Sequence, residues 1–215
     1  EVSYKTAIID KSFLLYFIAW LMFCSVDRLE TPVFSHLMGD FYYLAFGPII
    51  GSISALVGGL LADIVGRKGV VLYSFVTLGV AYAIIGVAPH TPLDLSWYLH
   101  LTMGSVATGM LWVTFILIIW GDLAKGACAV KYYALGEIPF FLSAIIQLVS
   151  SSYVGQIPVS SAFSFASFFI FLAVLPLLYA PETLSERKIE LRRLRKYVEE
   201  ARKIKEKYEG KAVEG

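Results

Sequence analysis

Ionisable side chains in a long apolar segment are the first candidates for chemistry in this sequence. Asp27, Arg28 and Glu30 fall near the far end of the apolar run that follows Lys11. An ionisable group inside a membrane is costly, and it indicates a function unless it reaches the aqueous interface. Asp27 lies 16 residues beyond Lys11, a rise of about 24 Å along a helix. Two interpretations stay open: solvated charges at a helix end, or cavity-facing groups that accept a proton or a solute hydroxyl.

Three uncharged residues in apolar segments could also contact a polar solute. Gln147 offers both a hydrogen-bond donor and an acceptor deep within its segment. Trp20 and Trp112 lie in mid-segment, away from the interfacial belts that Trp normally occupies in membranes. An aromatic face can stack on a sugar ring, although filling space is the commoner use of such residues. We treat all three as substrate candidates, with interhelical packing as the alternative.

A charged stretch between two apolar segments has residue types suited to a tight hairpin. Gly59 would let another helix approach closely, and Asp63 would close the first helix and accept from backbone donors at a neighbouring helix start. Gly66 would permit the reversal of the chain. Arg67 and Lys68 would hold the loop on the cytoplasmic side of a membrane.

Motifs of known enzyme classes do not occur in the sequence. It has no Gly-x-Ser-x-Gly nucleophile motif, no phosphate-binding loop and no His/Glu zinc pattern. His36 and His90 have no partner at ligand spacing, so we expect no metal site. The sequence therefore predicts a protein that is not an enzyme and that needs no cofactor.

The composition indicates a membrane protein. Of the 215 residues, 58% are hydrophobic and only 16% are charged, whereas soluble domains carry about 25% charged residues. Six apolar segments approach the length needed to cross about 30 Å of hydrocarbon. All should be helices, because isolated strands cannot satisfy their backbone groups in lipid. We place them near 12–33, 42–62, 70–88, 97–120, 134–155 and 160–180.

Basic residues predict the orientation of these segments. Eleven of the 18 Lys and Arg residues lie at or after Arg187, so the basic charge belongs to the tail and does not indicate nucleic-acid binding. By the positive-inside rule the side with most basic residues is cytoplasmic, which places both ends of the chain in the cytoplasm. The sequence divides into a six-helix part, 1–182, and a basic tail, 183–215. In the tail, Thr183 and Glu186 form a capping box that predicts an amphipathic cytoplasmic helix.

Small residues recur every four positions in the second segment. Gly47, Gly51, Ala55 and Gly59 would form one smooth ridge on a helix. Such ridges let membrane helices pack closely, since lipid provides no hydrophobic drive for their association. We therefore expect this ridge to pack against another helix and not against lipid.

Three motifs together carry a family resemblance. The spacing of Gly59, Asp63, Gly66, Arg67 and Lys68 resembles the loop between the second and third helices of a major facilitator superfamily half. The Pro-Glu-Thr at 181–183 is similar to the motif that closes each half of sugar-porter-like members. The acidic residue that ends the family's fourth helix, and the basic residue before its fifth, correspond to Asp122 and Lys131. The resemblance implies an all-α membrane fold, with these loop residues acting in gating and with Arg67 bonded to Asp122.

The resemblance also implies a function. Members move small polar solutes by alternating access between two six-helix halves, so the expected partners are a second half, the bilayer and a solute. A sugar or an organic acid is the favoured cargo, and a proton is a candidate coupling ion for symport across the cell membrane. The fourth segment has no Arg and the fifth has no Gly-Pro-Gly, which favours the second half over the first. A non-transporting membrane scaffold or sensor with the same fold is the alternative.

Overall fold

The computed structural model describes most of the apolar part of the chain. The described residues are 4–38, 45–87, 95–124, 129–154 and 156–184, with Leu194, Tyr197, Val198 and Arg202; for 31–38, 151 and 154 only the backbone is described. Two units separate at Thr183, Glu1–Thr183 and Leu184–Gly215. Most of the second unit lies outside the described residues, and so does the helix predicted for the basic tail.

The first unit is helical throughout its described part. In chain order its α-helices are α1 (Tyr4–Ile9), α2 (Lys11–Met38), α3 (Gly47–Ile64), α4 (Arg67–Val87), α5 (Leu95–Val113), α6 (Trp120–Leu123), α7 (Ala129–Gly136), α8 (Ile138–Val154) and α9 (Val159–Tyr179). Among the described residues, six spans are long and apolar enough to cross a membrane: Lys11–Glu30, Gly47–Ile64, Arg67–Val87, Leu95–Leu123, Ala129–Ser150 and Val159–Tyr179. The predicted all-helical, multi-pass architecture is therefore present at this coarse level.

The first span is part of a longer helix than the sequence predicted. α2 continues to Met38, past the predicted end near residue 33, because the limit of an apolar run marks the lipid boundary and not the end of the helix. Asp27 and Glu30 consequently lie inside a continuous helix.

The fourth and fifth spans depart from regular α-helix. A π-helical segment, Thr114–Ile119, joins α5 to α6. In the fifth span the chain breaks at Glu137, between α7 and α8. Pro139 is the second residue of α8, a position where its missing N–H costs no helical hydrogen bond. Each irregularity changes the direction of side chains between the two ends of its span.

Aromatic side chains fill the centre of the helix bundle. Trp20 is fully buried and stacks on Phe23 and Phe115, with ring centroids 5.1 and 4.7 Å apart. α4 packs against both α5 and α9, and α2 packs against α8 and α9. Because lipid gives helices no hydrophobic reason to associate, close packing of this kind contributes to holding the spans together.

The second span touches its neighbour through a different set of small residues from the predicted ridge. Its buried residues are Ser54, Gly58 and Ala62, and a Cβ added at Gly58 would lie 2.9 Å from Met110. No described atom lies within 4 Å of the position that a Cβ would take at Gly59. The predicted ridge packs against α5 at Gly51 but not at Gly59, and its members are partly buried, whereas Ser54, Gly58 and Ala62 on the adjacent row are buried.

Candidate functional site

A cavity of about 550 Å³ opens between the first four spans. Its described ionisable and aromatic lining consists of Asp27, Glu30, Tyr82, His100 and Trp112. Small and hydroxyl-bearing residues of α3 and α5 form the rest of its polar wall, among them Ser52, Ser105 and Thr108. We call this space the Glu30 cavity. Its volume is typical of small-molecule sites, which combine apolar walls with a few placed polar groups.

Glu30 is at the centre of a hydrogen-bonded group that joins three helices. The Tyr82 hydroxyl of α4 donates to Glu30 Oε2. His100 Nε2 of α5 lies 2.9 Å from Glu30 Oε1. The side chains of His100 and Glu30 are 3% and 17% exposed, so the group is largely withdrawn from solvent.

His100 makes a contact through each ring nitrogen. Its Nδ1 lies 3.0 Å from the carbonyl oxygen of Ala81, and its Nε2 lies 2.9 Å from Glu30 Oε1. Because a carbonyl can only accept a hydrogen bond, the contact with Ala81 needs a hydrogen on Nδ1. His100 therefore links α4 to Glu30 of α2.

The structure brings only some of the predicted substrate candidates to the cavity. Asp27, Glu30 and Trp112 line it, which matches the cavity-facing interpretation of the two carboxylates. Trp112 is held edge-on against Trp20 and Phe140, at centroid distances of 5.5 and 5.6 Å.

The other three candidates have different surroundings. Trp20 has no exposed surface and belongs to the aromatic core, so it cannot offer a face to a solute. Gln147 is half-buried on α8 and does not line the cavity. The guanidinium of Arg28 sits 4.5 Å above the ring of Phe140, also outside the cavity lining. Neighbouring positions on α2 point in different directions at 100° per residue, which separates Arg28 from Asp27.

A second polar site lies at the opposite end of α4. Arg67 begins this helix and Tyr82 follows 15 residues later, a separation of about 22 Å along the axis. Arg67 is 5% exposed. Its Nε donates to Asp122 Oδ2 at 2.9 Å, and its Nη1 lies 2.9 Å from both Asp63 Oδ1 and the Ala62 carbonyl. The Arg67–Asp122 pair expected from the family resemblance is therefore present.

Glu182 caps the start of α4. Its carboxylate oxygens accept from the backbone N–H groups of Arg67 at 2.9 Å and Lys68 at 3.2 Å. A helix N-terminus leaves these donors without intrahelical partners and carries a partial positive charge, so a carboxylate there is stabilising. Asp63, predicted to accept from backbone donors at a neighbouring helix start, instead pairs with the Arg67 guanidinium.

Gly66 makes the close approach of Glu182 possible. Its φ is +111°, a conformation that residues with a Cβ rarely adopt, and this agrees with its predicted role in the reversal. A Cβ at this position would also lie 2.5 Å from Glu182 Oε2. Glycine is therefore required both by the turn and by the carboxylate that packs on it.

Further contacts tie the sixth span and the segment after it to the same end. Lys68 Nζ donates to the Leu178 carbonyl at 2.8 Å, and the Tyr16 hydroxyl donates to the Pro181 carbonyl at 2.7 Å. The Thr183 hydroxyl reaches Asp122 Oδ2 at 3.4 Å. We call the group of Asp63, Gly66, Arg67, Lys68, Asp122 and Glu182 the Arg67 junction.

Two residues predicted to act in gating lie apart from this junction. Lys131 Nζ lies over the Tyr4 ring, 5.5 Å from its centre, and the ion pairs of Arg67 with Asp63 and Asp122 do not include it. Gly59 has open space where its Cβ would be. The spacing of the family motif grouped Gly59 and Lys131 with the junction residues. In the structure, the helix faces that carry them do not turn towards the junction.

Sequence reasoning missed Tyr82, His100 and the capping role of Glu182. His100 carried a usable signal, because it is an ionisable residue inside the predicted fourth span. Tyr82 carried none, since tyrosines are common in this chain. Within the described part of the chain, no group of three or more His, Cys, Asp or Glu side chains could hold a metal ion.

Comparison with known proteins adds no relative to this picture. No protein-family model, curated protein or solved structure matches the chain. Among the described residues, six helices have the length and apolarity needed to cross a membrane.

Proposed function

We propose that this chain is one six-helix half of a secondary transporter of the major facilitator type. It would move a small polar solute across the cell membrane by alternating access with a second half. The observation that carries the proposal is the Glu30 cavity: a space of about 550 Å³ lined by carboxylates, an imidazole and an indole from spans that cross the membrane. Ionisable groups in helices of this apolarity are costly unless they serve a pathway or a bound solute.

The Arg67 junction supports the same proposal through its position. It joins the ends of the second, third, fourth and sixth spans, about 22 Å along α4 from the cavity. A network that closes one end of a bundle can stabilise one conformational state, and a solute that favours the other state must overcome it. We assign the junction as the lock of one state, on the side where the basic residues place the cytoplasm.

The lining of the cavity bears on the cargo. The family resemblance favours a sugar or an organic acid. The carboxyl groups of Asp27 and Glu30 put hydrogen-bond acceptors in the wall of the cavity. Sugar hydroxyls could donate to these carboxylates, and Trp112 could provide an apolar face. A proton is a candidate coupling ion, since the cavity wall holds an imidazole and a carboxyl group 2.9 Å apart that can each exchange a proton.

Uptake into proteoliposomes tests the proposal. The complete protein that contains this chain would be reconstituted and offered a radiolabelled panel of hexoses, carboxylic acids and amines. We expect concentrative or counterflow uptake of one class, lost by at least tenfold in Asp27→Asn. Glu137→Gln is the matched control, because it removes a carboxylate from a neighbouring span without touching the cavity.

The result against the proposal would be folded, correctly inserted protein that transports no member of the panel. Binding without uptake would favour the alternative of a sensor with the same fold. Equal loss of uptake in Asp27→Asn and Glu137→Gln would contradict the assignment of the cavity as the solute site.

A further inference from the structure

We propose that a pocket between α2 and α9 binds one acyl chain of a bilayer lipid, packed against a wall that the pocket shares with the Glu30 cavity. We call this space the α2–α9 pocket. The inference goes beyond the proposed function, because it assigns a second ligand and holds whether or not the protein moves a solute.

Apolar side chains form almost the whole lining of the α2–α9 pocket. Its volume is about 190 Å³. The described lining residues are Val26, Leu29 and Glu30 of α2, Ala162, Phe163, Phe165, Ala166 and Phe169 of α9, and Ile157 just before α9. Glu30 is the one polar residue among them. Apolar cavities of about 150 Å³ stay dry and bind apolar molecules, so this lining favours hydrocarbon over water or an ion.

Two alanines of α9 leave the room for a ligand. Ala162 and Ala166 are four residues apart, so they lie on the same face of the helix, and both line the pocket. α9 packs against α2, but the methyl groups at these two positions do not fill the space between the helices. A single larger side chain on this face would occupy the pocket.

The rim of the pocket faces the membrane. Phe165 and Phe169 line the pocket and are 63% and 44% exposed. Both lie in the span Val159–Tyr179, while the α2 residues of the lining lie in the span Lys11–Glu30. In a bilayer, the medium around such spans is the hydrocarbon of the lipid chains. A lipid chain is therefore the apolar ligand that meets this rim at the highest concentration.

The inner wall of the pocket is also a wall of the Glu30 cavity. Glu30 lines both spaces. Its carboxylate oxygens contact Tyr82 and His100, so its methylene groups are left to contact a chain. Phe163 is buried, and its ring centroid lies 5.8 Å from that of Tyr82 and 5.2 Å from that of His100. One layer of side chains therefore separates the bound lipid chain from the solute cavity.

Photolabelling by a lipid chain tests this inference. Phosphatidylcholine with a diazirine in the middle of one acyl chain would be incorporated with the purified protein into nanodiscs and photolysed, and the labelled residues would be mapped by mass spectrometry. Val26 and Phe163 are 8% and 2% exposed, so a chain can label them only by entering the space between the helices. We expect both to be labelled at least as strongly as Phe168 and Leu172, which are exposed on α9.

Variants with a filled pocket provide the comparison. In Ala166→Phe the new ring should take the place of the chain, so labelling of Val26 and Phe163 should fall at least tenfold while labelling of Phe168 stays unchanged. Ala144→Phe is the matched control, because it makes the same substitution at an exposed position of α8 outside the pocket. Ala166→Leu adds a smaller side chain, and we expect it to reduce the labelling of both buried residues at least threefold if the phenylalanine variant does not fold.

Three results would overturn the inference. They are labels confined to exposed residues, unchanged labelling of Val26 and Phe163 in folded Ala166→Phe or Ala166→Leu, and stronger labelling of these two residues by a water-soluble diazirine than by the lipid. Melting temperatures near that of the wild type would show that the variants fold. The readout is contact with lipid and not uptake of a solute, so failure of this inference and failure of the proposed function are separate results.

Discussion

The Glu30 cavity and the Arg67 junction lie at opposite ends of α4, and their polar side chains have different partners. At the junction, Arg67 bonds to two carboxylates and a carbonyl, and Glu182 bonds to two backbone N–H groups. In the cavity, Glu30 accepts from Tyr82 and lies 2.9 Å from His100 Nε2, beside about 550 Å³ of open space. Polar groups at the junction are therefore enclosed by helix ends, whereas those of the cavity also face a volume that a solute can enter.

The two regions also differ in how they are built from the chain. The junction is dominated by helix ends, where backbone donors and acceptors need partners in any case. The cavity is formed by side chains from four helices that must be spaced apart to leave room. Substitutions at the junction should therefore act on stability and on the balance of states, and substitutions in the cavity should act on solute binding.

The largest effect on stability should come from Gly109, where α5 touches α3 in the wall of the cavity. A Cβ there would overlap the backbone of Gly51, so Gly109→Ala must push the two helices apart. We expect a loss of about 3 kcal/mol, at the upper end of overpacking costs. The melting temperature in detergent would measure it, with Gly59→Ala as control, because no described atom lies within 4 Å of that site. Equal melting temperatures of the two variants would contradict the described contact.

The next effect should be the coupling of Arg67 to Asp122. A charge-assisted pair with a buried guanidinium should contribute about 2 kcal/mol to the state in which it forms. Arg67→Ala and Asp122→Ala should each weaken the junction, and a double-mutant cycle on unfolding free energy should give a coupling of that size. Additive losses would show that the two side chains act independently and would contradict the proposal that this pair locks one state.

A smaller effect is expected from the carboxylate cap of α4. Glu182→Ala removes the acceptor of two backbone donors, and loss of an N-terminal cap typically costs about 1 kcal/mol. Thr183→Val is a suitable control, since its hydroxyl makes only a long contact of 3.4 Å with Asp122. We expect Glu182→Ala to lower the melting temperature and to leave solute affinity unchanged, because the junction lies apart from the cavity.

The smallest effect should be that of Gln147→Leu on solute binding. The position of Gln147 deep in an apolar segment made it a substrate candidate, but the side chain does not line the cavity. We expect less than a twofold change in affinity, against a loss of at least tenfold in Asp27→Asn. A large loss in Gln147→Leu would show that the binding site extends to α8 and that the cavity is only part of it.

Sequence reasoning reached the spans and part of the junction because both rest on local rules. Long apolar runs must become helices in lipid, and a Gly between two helices permits the positive φ found at Gly66. The Arg67–Asp122 pair followed from a motif. The capping of α4 by Glu182 was not predicted, because its hydrogen-bond donors are backbone N–H groups, which every residue type except proline has.

The cavity was harder to predict because it depends on helix rotation. Small residues recur at four-residue spacing on two faces of α3, and periodicity alone gave no reason to prefer Ser54 and Gly58 over Ala55 and Gly59. Glu30 was placed near a helix end because the apolar run stops there, whereas α2 continues to Met38. Its partners Tyr82 and His100 lie 52 and 70 residues away, a distance that no local pattern covers.

Thiol accessibility tests most directly whether the Glu30 cavity is open to water, as a solute site must be. Ser105→Cys places a thiol in the lining, and Ile145→Cys places one on an exposed apolar position of α8. Both native cysteines would be replaced by Ala, and the protein in liposomes would be treated with charged, membrane-impermeant methanethiosulfonates. We expect the thiol of Ser105→Cys to react at least tenfold faster than that of Ile145→Cys, because lipid would exclude the reagent from α8. An inert thiol in Ser105→Cys, or equal rates in the two variants, would contradict the assignment of the cavity as a solute site.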